Sequence, residues 1–208
     1  MQPIAIMLTG ISGSGKSATA DELLPKLEKM GYRARIVHFD ELRKSFVPAG
    51  VDPYSADEQV RSLIYKNAAA LFSLSFADGE SLLIDNGISK EPTREWLKKA
   101  IPALRLVHIH CPVCVAFARE TLRSLEEGKH ERGRFLYLRA LRSLLYHLFQ
   151  RHHEFHLPGI THPFDYPQCA DVHVNTLWKR PVQVADEILV RLGLVRRRSE
   201  LITNTHLK

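Results

Sequence analysis

The chain has 208 residues, 45% of them hydrophobic and 25% charged, with a net charge of +6. That balance excludes a disordered or fibrous chain and suits one globular α/β domain with a sizeable core. No apolar run approaches a membrane span, no signal-peptide pattern opens the chain, and three cysteines without disulfide-style spacing suit a reducing, cytoplasmic setting.

Ile4, Ala5, Ile6, Met7 and Leu8 read as a buried parallel strand running straight into GISGSGKS, residues 10–17. The spacing G-x-x-x-x-G-K-S is that of a phosphate-cradling loop. Its glycines let the backbone curl, so that successive N–H groups point into one concavity. Gly10, Ser12, Gly13, Ser14 and Gly15 form the cradle, Lys16 reaches the β- and γ-phosphates of ATP, and the Ser17 hydroxyl ligates Mg²⁺. Ala20, Leu23, Leu24 and Leu27 then mark one face of a helix, in which Pro25 is expected to make a kink.

Strand and helix patterns alternate from here on, which predicts a parallel sheet with helices on both faces. Residues 34–39 read as the second strand, and 55–58, Ser-Ala-Asp-Glu, as a capping box. The box opens a helix striped by Val60, Leu63, Ile64, Ala68, Leu71 and Phe72. Residues 81–84 give the third strand, closed by Asp85. Pro92 starts a helix carrying Trp96, Leu97, Ala100 and Ile101. Residues 104–110 and 171–175 are the fourth and fifth strands, and 181–192 the last helix.

Ligands of open parallel sheets bind beyond the carboxyl ends of the strands. Asp40, after the second strand, is therefore a candidate base for an attacking hydroxyl; capping the next helix is its other use. Arg43, one turn on, suits an anionic acceptor. Asp85 suits a water-mediated Mg²⁺ role or a plain turn ahead of Asn86-Gly87. Cys111 and Cys114 form a lone C-x-x-C without a second pair, best read as a strand end and a helix start.

These residues together resemble the adenylyl-sulfate kinases, which phosphorylate the 3′-hydroxyl of adenosine 5′-phosphosulfate with ATP. GISGSGKS resembles that family's phosphate loop, and residues 39–43, Phe-Asp-Glu-Leu-Arg, its Gly-Asp-Asn-hydrophobic-Arg segment. Tyr54-Ser55 resembles its Phe-Ser, and Ile88-Ser89 its Ile-Ser-Pro-Tyr loop. Residues 157–165, LPGITHPFD, resemble Phe-Thr-Gly-Ile-Asp-Asp-Pro-Tyr-Glu. The resemblance implies a three-layer α/β/α phosphate-loop kinase fold with five parallel strands and a helical lid. It implies Asp40 as base, with Arg43, Tyr54, Ile88, Ser89, Leu157, Gly159 and Ile160 on the acceptor. It also sets Arg119 against adenine or the phosphates. The departures fall on the acceptor side: His38 and Phe39 replace Asp and Gly, and aliphatic Leu157 replaces an aromatic ring.

The resulting expectation is a single kinase domain over residues 1–195, a lid at about 115–156, and a basic tail over 196–208. Arg119, Arg123, Lys129, Arg132 and Arg134 are the lid's candidate cations. The lid stripe of Tyr137, Leu141, Leu144, Leu145 and Leu148 packs on its own domain or forms a homodimer contact. Six of the eleven histidines lie between His130 and His162 without the paired spacing of a zinc site. ATP and Mg²⁺ are the expected cofactors and a small molecule the expected partner, with neither membrane nor nucleic acid called for. A kinase for another hydroxyl and a nucleotide-switched accessory ATPase are the competing readings.

Overall fold

The structure, a computed structural model, describes residues 1–52, 57–101, 103–126 and 163–195. In chain order it builds β1 (Ala5–Thr9), α1 (Lys16–Lys29), β2 (Ala34–His38), α2 (Phe39–Ser45), α3 (Glu58–Ala77) and β3 (Ser81–Asp85). These are followed by α4 (Glu91–Ala100), β4 (Leu104–His110), α5 (Val113–Glu126), β5 (Val172–Asn175) and a last helix, α6 (Pro181–Arg191).

The five strands pair in parallel in the order β2-β3-β1-β4-β5. The order places β1 centrally, so the chain exits its carboxyl end into the crevice where connections diverge to the two sides. Successive residues of β1 point to opposite faces, and both faces are buried. Ala5 and Met7 join Ile64, Ala68 and Phe72 of α3 and Leu97 of α4 on one side. Ile6 and Leu8 join Leu23 and Leu27 of α1 and Ile188 of α6 on the other. Continuous apolar strands are what such a three-layer α/β/α phosphate-loop kinase fold demands.

α1 runs on through Pro25, which lies on the exposed face with Asp21, whose carbonyl loses its helical partner and is open to water. Three local expectations are corrected. β2 ends one residue early, since Phe39 turns inward as the first, fully buried residue of α2. The N-cap of α3 is Asp57, whose side chain accepts from Gln59 N at 2.8 Å; Ser55 lies outside the described residues. The stripe of α3 is narrower than expected: Leu63 faces outward, at 43% exposure.

Candidate active site

The phosphate loop leaves β1 at Thr9 and enters α1 at Lys16, and it has no room for side chains at two of its glycines. A Cβ on Gly10 would stand 2.4 Å from the Ile109 carbonyl oxygen. One on Gly13, at φ +74°, would stand 2.0 Å from that of Ala116. The loop is thus pressed between the end of β4 and the start of α5. Ser14 is buried; its carbonyl accepts from Thr176 Oγ1 at 3.0 Å, and its own hydroxyl has no partner among the described residues. A cradle that tight, with a buried unmet hydroxyl and the positive end of α1 behind it, fits the phosphates of ATP.

Lys16 folds back over the loop, donating to Gly10 O at 3.2 Å and Ile11 O at 3.0 Å. Burial pushes its ammonium pKa down, while Asp85, then Asp40, then Glu120 oppose the shift. The charges of three carboxylates therefore bear on one amine. Asp40 is exposed in the first turn of α2, while the extended residue His38 occupies the N-cap position. Asp85 closes β3 in register with Leu8 of β1 and His38 of β2. It accepts from Ser17 Oγ at 2.5 Å and lies 3.8 Å from His38 Nδ1. Ser17 and Asp85 thus present hard oxygen donors side by side, a set that fits Mg²⁺. Such an ion, when bound, supplies neutralisation of charge on the phosphates. Among the described residues no group of three or more His, Cys, Asp or Glu side chains gathers to hold a metal by itself. Cys111 is buried against Ile11 and Ala116, and Cys114 is exposed.

Arg43 lies against an aromatic pair. The Phe39 and Tyr65 rings stack at 5.5 Å, and its guanidinium carbon is 5.6 and 5.9 Å from their centroids. Its Nη2 also donates to Tyr65 Oη at 3.2 Å. Burial pushes the Tyr65 phenol pKa up, and the Arg43 charge opposes that. Tyr65 escaped the sequence reading, since it sits on a helix 22 residues from its partner.

Arg119 of α5 comes beside the loop. It donates to Thr176 Oγ1 and Thr176 O, both at 3.3 Å, and lies 3.9 Å from where a Gly15 Cβ would be. Thr176 was also missed; its place just past β5, at the carboxyl edge shared with Thr9 and Asp85, is the signal that could have found it. Glu120 takes both its oxygens to Arg123 at 2.7 Å. Ile88 is a core side chain, 2% exposed, whose carbonyl accepts from Thr9 Oγ1. Ser89 is half-buried beside it. Tyr54, Leu157, Gly159 and Ile160 lie outside the described residues, as do the lid from residue 127, its histidines and apolar stripe, and the tail.

The family model described as AAA domain matches residues 6–148, from β1 through the region after β4. The chain belongs to that family. Its curated relatives include a probable adenylyl-sulfate kinase of Pyrococcus abyssi, 29% identical over 58% of this chain and 67% of the relative. The adenylyl-sulfate kinase of Paraburkholderia xenovorans is 26% identical over 95% of this chain and 92% of its own. The fold is shared with the Mycobacterium tuberculosis APS kinase CysC solved with AMPPNP and APS. That match has a TM-score of 0.67 at 19% identity, covering 92% of this chain and 98% of the other. The kinase-type phosphate-loop fold and the adenylyl-sulfate kinase resemblance read from the sequence therefore stand. Among the described residues no helix is long and apolar enough to cross a membrane.

Proposed function

We propose that this protein is an ATP-dependent kinase that transfers the γ-phosphate to a hydroxyl of a small anionic acceptor, with the 3′-hydroxyl of adenosine 5′-phosphosulfate the leading candidate. The observation that carries the reading is the cramped phosphate loop meeting the Ser17–Asp85 pair beyond the carboxyl ends of β1 and β3, with Asp40 in the first turn of α2 directly after β2. A cation at the phosphate loop, with carboxylates at the neighbouring strand ends, is the minimum for phosphoryl transfer with little covalent chemistry by the protein. Lys16 neutralises the phosphates, Ser17 and Asp85 hold Mg²⁺, and Asp40, the more exposed acid, orients or deprotonates the acceptor hydroxyl. Arg43, fixed by Phe39 and Tyr65, meets the acceptor's anionic group. Arg119 rests on the nucleotide. The names of the relatives support the acceptor, and a cytoplasmic setting accords with that chemistry.

A second reading, another anionic hydroxyl compound as acceptor, is favoured by Phe39 and His38. A buried ring and an imidazole beside Asp85 stand where the resembled family has glycine and aspartate. The test is transfer of label from γ-labelled ATP to a panel containing adenosine 5′-phosphosulfate, sugar acids and nucleosides. Label on adenosine 5′-phosphosulfate, lost roughly 100-fold or more in Asp40→Asn, is the expected result. Label on another hydroxyl alone replaces the acceptor and keeps the kinase. ATP hydrolysis with no labelled acceptor points instead to a nucleotide-driven switch.

A further inference from the structure

Arg94 of α4 is the largest side chain in the molecule's described part with no solvent exposure. A buried guanidinium persists only where its charge and N–H groups are met. Its Nε and Nη2 lie 2.7 and 2.6 Å from Glu91 Oε2, and Nη1 donates to Ile88 O at 2.6 Å. Nη2 also donates to the Asp165 carbonyl, and the guanidinium carbon sits 5.1 Å from the centroid of the Phe164 ring. One side chain thus joins residues 88–91 to residues 164–165, far along the chain.

The same two segments are stitched by further bonds around it. Asp165 N donates to Ser89 O at 2.8 Å, Glu91 N to Asp165 Oδ2 at 3.2 Å, and Cys169 N to Glu91 Oε1 at 2.7 Å. The Ile88 carbonyl also accepts from Thr9 Oγ1, of the last residue before the phosphate loop, at 3.4 Å. A hydrophobic residue would fill this space without the desolvation cost of a charge. What only arginine supplies is a planar fork reaching acceptors in several directions at once. Such a fork is useful where a loop must hold a substrate to a fraction of an ångström.

We infer that Arg94 is the positioning residue of the acceptor side, locking residues 88–91 against residues 163–169 so that acceptor pose, and not ATP binding, depends on it. The inference rests on the reading above in one respect, that the Ile88-Ser89 loop faces the acceptor. Two variants test it: Arg94→Lys, which keeps the charge and loses the fork, and Asp165→Ala, which removes one stitch and leaves the buried charge alone. Three quantities are measured on each: affinity for a non-hydrolysable ATP analogue, KM and kcat with adenosine 5′-phosphosulfate, and amide hydrogen exchange.

The expected result for Arg94→Lys is an acceptor KM raised roughly 10-fold or more, with analogue affinity within about twofold of wild type. Exchange should quicken at residues 86–91 and 163–169 and stay unchanged at 10–17. Asp165→Ala should show the same pattern more weakly, and Asp165→Asn, which keeps a side-chain oxygen, should restore it. Analogue affinity falling as far as the acceptor KM rises, or exchange quickening throughout, overturns the inference; so does an unchanged KM. If Arg94→Lys does not fold, the Asp165 pair decides. If the wild type passes no phosphate to adenosine 5′-phosphosulfate, that acceptor falls by itself. The exchange measurement then decides the clamp: selective loosening upholds it and uniform or absent change removes it.

Discussion

The phosphate loop and the acceptor-side clamp lie at the same edge of the sheet and are built differently: the loop's curl is set by short-range bonds, even though Thr176 and Asp85 brace it from far along the chain. In the loop, Lys16 bonds to carbonyls five and six residues back and Thr19 to one four residues back. In the clamp, the bonds among Ile88, Glu91, Arg94, Asp165 and Cys169 that cross between segments span 71 to 78 residues. A contiguous motif carries its geometry with it, because neighbouring dihedrals and glycine clearances determine where each group points. A clamp of distant residues exists only once the sheet has brought its parts together, so its chemistry can diverge while the loop stays recognisable.

Substitutions on the two sides should therefore fail differently. The largest effect is expected for Lys16→Ala: phosphoryl transfer falls roughly 1,000-fold while the melting temperature stays near wild type. A matching fall in melting temperature would make the lysine a framework residue and erase the contrast. Glu91→Gln should do the reverse, leaving the Arg94 charge buried without its counter-charge. Stability by urea unfolding should drop by about 3 kcal/mol, with ATP-analogue affinity unchanged in the folded protein.

Acid should reach the clamp's surroundings before the loop. His108 packs against Phe164, Tyr166 and His173 and lies near His110, with Nδ1 3.1 Å from His173 Nδ1. Burial foremost, then His173, His110 and the Arg94 charge push its pKa down to about 4, with Glu91 opposing. An unfolded imidazole, with its pKa at 6.5, takes up a proton where the folded one does not. Stability present above pH 6.5 is therefore lost as pH falls toward 4, by roughly 2 kcal/mol between pH 7.5 and 5. Melting curves across that range should show it, and His108→Gln should flatten the dependence. The smallest effect is set for Asp57→Ala, which removes the N-cap of α3 and should cost about 1 kcal/mol with no change in acceptor KM.

The sequence alone determined the strand–loop–helix start, the parallel sheet and the carboxyl-edge positions of Lys16, Ser17, Asp40 and Asp85. Apolar runs, glycine spacing and strand ends are local signals, and the physics they report acts over a few residues. The pairing of Arg43 with Phe39 and Tyr65, the hold of Thr176 on Ser14 and Arg119, and the burial of Arg94 between two segments were decided by the tertiary structure. An arginine in an amphipathic helix reads as a surface charge until another segment covers it. That covering depends on which strands become neighbours, which no local pattern encodes.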